Sequence, residues 1–134
     1  MRWMIPPVVL LLALLSCSPA TGDPPATVAA KKSDGTESPC GKVVSAIGYA
    51  AFSLVPAGQE ESQKFDDDAR GRLSYVWGTV QRYGPQLPQA LQQQQETLRR
   101  TTQGLSPADT PHEEQVKLLR EYRAAAEAVT KGCA

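Results

Sequence analysis

Four stretches of the chain repeat apolar residues at the three-and-four spacing of a helix, and none alternates with the period of two that a half-buried strand needs. The first is expected over residues 39–55. Cys40, Val44, Ile47, Ala51 and Leu54 fall on one stripe, Ser38-Pro39 supplies a cap with proline at the first helical position, and Pro56-Ala57-Gly58 stops it. The second, residues 60–83, turns Phe65, Ala69, Leu73, Val76, Val80 and Tyr83 inward and ends at Gly84-Pro85. The third, residues 88–104, has the thinnest stripe: Leu87, Leu91, Leu98 and Leu105 keep heptad positions, with Gln94 and Thr101 in the gaps. The fourth, residues 111–131, opens on Thr110-Pro111-His112-Glu113, which reads as a capping box. It carries Leu119, Tyr122, Ala126 and Val129 on its apolar face and ends at Gly132, where a left-handed C-cap is expected.

Amphipathic helices bury their stripes against one another, so the expected fold is all-α, a small up-down-up-down four-helix bundle over residues 39–134. The cysteines test the helix count. Cys40 lies in the first turn of the first helix and Cys133 just past the fourth. Three or five alternating rods would leave these thiols at opposite ends, beyond the roughly 7 Å between Cα atoms that a disulfide tolerates. Four rods bring them together, and a Cys40–Cys133 bond is expected.

Residues 1–16 differ from everything after them. Arg2 precedes a short apolar run, Val8 to Leu15, which falls short of the roughly 20 apolar residues a membrane-spanning helix requires. That length fits the apolar core of an export signal. The run closes on Leu14-Leu15-Ser16-Cys17, which resembles the lipobox of the bacterial lipoproteins. The resemblance covers the leader alone. It implies that the Cys17 thiol receives a diacylglyceryl group, that the leader is cut before Cys17, and that the new amine is acylated. Such acyl chains would tether the protein to a membrane of the cell envelope. In a two-membrane bacterium, Ser18 after the cysteine favours the outer one.

A second route stays open, in which Ser18-Pro19-Ala20 is an ordinary cleavage site and the protein is freely secreted or periplasmic. The chain has three cysteines, and either route leaves Cys40 and Cys133 as one pair in an oxidising compartment. Residues 17–38 hold the attachment cysteine and then mostly Pro, Ala, Thr, Gly, Ser, Lys and Asp. This composition buries too little to offset its ordering entropy, so a flexible linker is expected, with a mean reach of roughly 25 Å.

Charge and chemistry narrow the function mainly by exclusion. Lys and Arg number 14 and Asp and Glu 14; losing Arg2 with the leader leaves 13 against 14. No basic surplus remains for a nucleic-acid partner. His112 is the one histidine, and no serine or cysteine is placed to use it as a base, so no catalytic residue and no enzyme are expected. A single histidine beside two bonded cysteines leaves no zinc set. Asp66-Asp67-Asp68 lacks the spacing of a calcium loop and suits a helix start instead. Met1 and Met4 leave with the leader, and there is no Cys-x-x-Cys-His, so haem ligation is not expected. No glycine-rich phosphate loop appears, and no cofactor is expected.

The first helix breaks the amphipathic pattern. Between Cys40 and Val55 its one charged residue is Lys42, and off the stripe it carries Gly41, Ala46, Gly48, Tyr49 and Phe52. A helix apolar nearly all round is either central to the core or covered by a partner. Gly71 and Gly78 on the second helix also lie a heptad apart, facing away from its stripe with Ser74 beside them. Two readings follow for Gly48, Tyr49 and Phe52: they bind an envelope protein partner, or they fill the core around Trp77 and Tyr75. The first makes the chain a lipid-anchored interaction or scaffold module. The alternative function is a carrier of a small apolar ligand in the bundle interior, lined by Trp77, Phe65, Tyr75 and Tyr122.

Overall fold

Ser38 starts the folded part. Its Oγ accepts the Gly41 amide at 2.9 Å, Pro39 occupies the first helical position, and α1 runs Pro39–Ala51. The computed structural model describes residues 35–134, which form helices and connections with no strand among them. The leader, Cys17 and the linker as far as residue 34 lie outside the described residues.

α1 stops at Ala51, short of the expected residue 55. The Ser53 and Leu54 amides bond three residues back, to Ala50 and Ala51, as the helix tightens and ends. Val55 precedes Pro56, which disfavours helical backbone at Val55 and offers no amide of its own. The second helix differs more. Glu60–Ser62 forms a single 3-10 turn, residues 63–66 are not helical, and α2 runs Asp67–Tyr83. Buried Gln63 explains the break. Its side chain accepts the Val55 amide at 2.7 Å and donates to the Ser53 carbonyl at 3.0 Å and the Lys64 carbonyl at 2.8 Å. Asp66 then caps α2 by accepting the Ala69 amide at 2.9 Å, and Asp67 and Asp68 fill the first turn.

Two further 3-10 turns, Gly84–Gln86 and Gln89–Leu91, lead into α3, Gln92–Leu105. α4 runs His112–Gly132. The expected capping box does not form: Pro111 stands at the cap position, and the Thr110 hydroxyl donates instead to the Gly104 carbonyl at 2.8 Å. Gly132 is not a left-handed cap either. It stays helical, and among the described residues Gly58 alone has a positive φ, +90°. What Gly132 supplies is room, since a Cβ there would lie 2.5 Å from a methyl of Leu91.

The core joins Leu73, Val76 and Val80 of α2, Leu98 and Leu105 of α3, and Leu119, Tyr122, Ala126 and Val129 of α4, with Leu87 and Leu91 closing one end. Buried Thr101 and Thr102 bond back to the Thr97 carbonyl at 2.8 Å and the Leu98 carbonyl at 2.6 Å, so neither hydroxyl is left unpaired. The α1 stripe is turned from the expected one. Val43, Ala46 and Ala50 are fully buried; Cys40, Ile47 and Leu54 pack at the edge, Val44 is half-buried and Ala51 is exposed. Alanines at 46 and 50 let α2 come close, and the larger residues fall on the side toward α4.

Successive helices pack on one another, and α1 also meets α4. The Cys40–Cys133 disulfide closes that seam with the Cα atoms 5.5 Å apart, 93 residues apart along the chain.

Candidate functional site

α1 and α2 together build the most distinctive surface. Three large hydrophobic residues are exposed among the described residues: Phe52 at 84%, Tyr75 at 57% and Tyr49 at 47%. Gly48, Tyr49 and Phe52 share one solvent-facing side of α1, because their spacing places them within a single arc of the helix. A Cβ at Gly48 would meet nothing within 4 Å, so this side is open.

The rings are held rather than loose. Tyr49 and Tyr75 meet edge to face with centroids 5.5 Å apart at 78°, a favoured aromatic geometry. The Arg72 guanidinium lies 4.4 Å from the Tyr49 ring centre and donates to the Tyr49 carbonyl at 3.1 Å. Asp68 anchors that arginine at 3.0 Å and also accepts the Ser53 hydroxyl. The Ser53 hydrogen bond first, then Arg72, hold the Asp68 carboxyl below the usual carboxylate range. A groove of about 690 Å³ runs beside the ring pair between α1 and α2. Its lining includes Lys42, Ser45, Gly71, Gly78 and Arg82 and no carboxylate.

Tyr49 and Tyr75 do meet, as the core-filling reading required, but they meet at the surface. Sequence pattern singled out Gly48, Tyr49 and Phe52 and named Tyr75 as a neighbour only in the core-filling reading; it missed Tyr75 as part of the exposed surface and Arg72 altogether. The available signal was the position of Tyr75 beside Ser74, on the small-residue side of α2.

The four rings named for a carrier do not line one cavity. Tyr75 faces the α1–α2 surface, and half-buried Phe65 meets His112 with centroids 6.4 Å apart. Buried Tyr122 borders a separate shallow groove of about 240 Å³ with Ile47, Ala51, Leu54 and Ala57. Trp77 is half-buried on α2.

Charged groups elsewhere serve the connections. Glu60 is buried, accepts the Gly58 amide at 3.0 Å and pairs with Arg123 at 2.9 Å, while Arg123 also donates to the Val55 carbonyl. Hydrogen bonds from the backbone amides of Glu60 itself and Gly58 hold its carboxyl below the usual range, with Arg123 and Arg120 adding to them. Exposed His112 donates from Nε2 to the Glu61 carbonyl at 3.1 Å. Among the described residues no three His, Cys, Asp or Glu side chains gather as a metal-ligand set. None of the described helices is long and apolar enough to cross a membrane.

No protein-family model, curated protein or solved structure matches the chain.

Proposed function

We propose that the chain is a lipid-anchored, extracytoplasmic bacterial lipoprotein whose helical domain is a non-catalytic interaction or scaffold module. The observation that carries the interaction role is the exposure of Tyr49 and Phe52 on a helix with one charged residue. Monomeric surfaces rarely leave grouped apolar rings uncovered unless something docks there. Gly48, Tyr49 and Phe52 form the contact face for an envelope protein, with Tyr75 extending it. The lipobox-like Leu14-Leu15-Ser16-Cys17 supports the anchor, and the disulfide supports an oxidising compartment.

Mass spectrometry of the mature N-terminus tests the anchor. An acylated chain beginning at Cys17 is expected, and one beginning at Thr21 without acyl groups overturns it. Crosslinking in the intact envelope tests the contact face. A specific protein should crosslink to the native domain and be lost when Gly48→Arg and Phe52→Ser are combined; undiminished crosslinking removes this face from the proposal.

A further inference from the structure

The outward side of α2 is symmetric about the Ser74–Tyr75 peptide. Gly71 and Gly78 lie equidistant from it, and so do Asp67 and Arg82. The spacing of Asp67, Gly71, Ser74, Gly78 and Arg82 keeps all five on one side of the helix, opposite the buried Ala69, Leu73, Val76 and Val80. That side is open: a Cβ at Gly71 or at Gly78 would meet nothing within 4 Å. Its ends carry opposite charge. The Asp67 side chain is 97% exposed and pairs only with Arg70, one turn further on, among the described residues, while exposed Arg82 has no acidic partner among them.

We propose that α2 pairs antiparallel with the α2 of a second copy, about a two-fold axis through Ser74–Tyr75. A two-fold contact must be self-complementary: what residue i meets in its partner must meet i in return. This side satisfies that in three layers. Gly71 of each copy meets Gly78 of the other, and the missing side chains let the two backbones approach closely, since interaxial distance follows side-chain size. Asp67 of each copy meets Arg82 of the other, so both ends of the contact, about 22 Å apart at 1.5 Å per residue, hold opposite charges. The two Tyr75 rings flank the axis and cover the grooves between α1 and α2. Parallel pairing would set Asp67 against Asp67 and Arg82 against Arg82, and like charges brought together across an interface oppose binding.

The inference goes beyond the proposed function and does not rest on it. The envelope partner is assigned to Gly48, Tyr49 and Phe52, and the second copy to the glycines and terminal charges of α2, with Tyr75 common to both faces. Substitutions at Gly48 or Phe52 therefore report on the first contact, and those at Asp67, Gly78 or Arg82 on the second.

Sedimentation of the full chain, processed as the cell exports it, tests the pairing across a concentration series. The native protein should form dimers. Gly78→Leu, which has space in the single copy, should raise the dissociation constant at least tenfold with an unchanged circular dichroism spectrum. Arg82→Glu and Asp67→Arg should each do the same. Mixing those last two should restore dimers, because acid then meets base at both ends of the mixed pair. A native chain that stays monomeric throughout overturns the proposal. So does a dimer indifferent to Gly78→Leu, or a mixture of the two charge variants that fails to associate.

Discussion

α1 and α4 share a covalent seam yet finish their outer surfaces in opposite ways. α4 buries a wide stripe from Gln115 to Val129 and covers its outside with paired charges. Glu121 meets Arg100 at 2.5 Å, Arg120 meets Glu61 at 2.7 Å and Lys131 meets Glu127 at 2.6 Å. α1 has one charged residue, Lys42, held by Glu37 at 3.2 Å, and otherwise shows water Ser45, Gly48, Tyr49 and Ala51, with exposed Phe52 just past its end. Exposed ion pairs contribute only about 0–1 kcal/mol each, so the charges of α4 chiefly keep that surface solvated. The exposed rings of α1 add little to the core and do nothing for solubility. Folding and solvation account for the outer face of α4, whereas the exposed rings beside α1 serve neither, and it is this difference on which the proposed contact face rests.

The contrast is most strongly broken at the seam. Replacing Cys40 and Cys133 together by serine removes a loop of 93 residues and should lower stability by about 4–5 kcal/mol in the loop-entropy account. Urea unfolding of the oxidised and serine forms measures it; coincident midpoints would mean that packing alone holds α1 to α4. Next, Leu119→Ala in α4 should cost about 2–5 kcal/mol, as for other fully buried leucines. Phe52→Ser in α1 should stay within about 0.5 kcal/mol. Equal losses at the two positions would place Phe52 in the core.

A smaller effect sharpens the picture of α4. The Tyr122 hydroxyl is buried with no hydrogen-bond partner among the described residues, and burial pushes its pKa up. Tyr122→Phe should raise stability by about 1 kcal/mol, because a buried hydroxyl without a partner costs roughly that much or more. A loss in thermal or urea midpoint would reveal a partner for the hydroxyl.

The smallest effect is pH-dependent. Glu60 has a folded pKa below its ordinary 4.5, so the unfolded chain takes up the proton first. Its contribution is complete above that value and is lost as the pH falls through the folded pKa. Glu60→Gln should flatten the acid limb of a plot of urea midpoint against pH and leave the slope above pH 5 unchanged.

Much of this architecture was legible where burial is decided by long apolar side chains. The centres of the α2, α3 and α4 stripes emerged because Leu73, Leu98 and Leu119 have one place to go, while Leu118 and Ala125, which widen the buried side of α4, did not. α1 misled because its buried centre is Val43, Ala46 and Ala50: two of these are alanines, whose pattern is faint beside Ile47 and Leu54 at the edge. Capping chemistry was half legible. Ser38 caps as its spacing suggests; Asp66, expected inside a helix beginning at residue 60, instead caps α2, and Thr110 finds the Gly104 carbonyl, a partner that exists only once α3 and α4 are packed. Helix periodicity also ran straight through the connection at residues 60–66, because the bonds by which Gln63 holds Val55 and Ser53 follow no period. At the candidate surface the α1 residues were visible as apolar positions out of register. Tyr75 was visible only as a core neighbour and Arg72 not at all, since what sets both against Tyr49 at the surface is the packing of one helix beside another.

The disulfide also fixes how the domain carries a mechanical load. A pull on the segment ahead of Cys40 passes within a few atoms to Cys133, 93 positions further along the chain, and the residues between them bear none of it. While the bond is intact, tension applied across Cys40 and Cys133 is carried by the two sulfurs and does not reach the helices between them. Once reduced, the same tension is free to peel α1 from its neighbours. One sulfur–sulfur bond makes the domain inextensible to forces applied at its own ends.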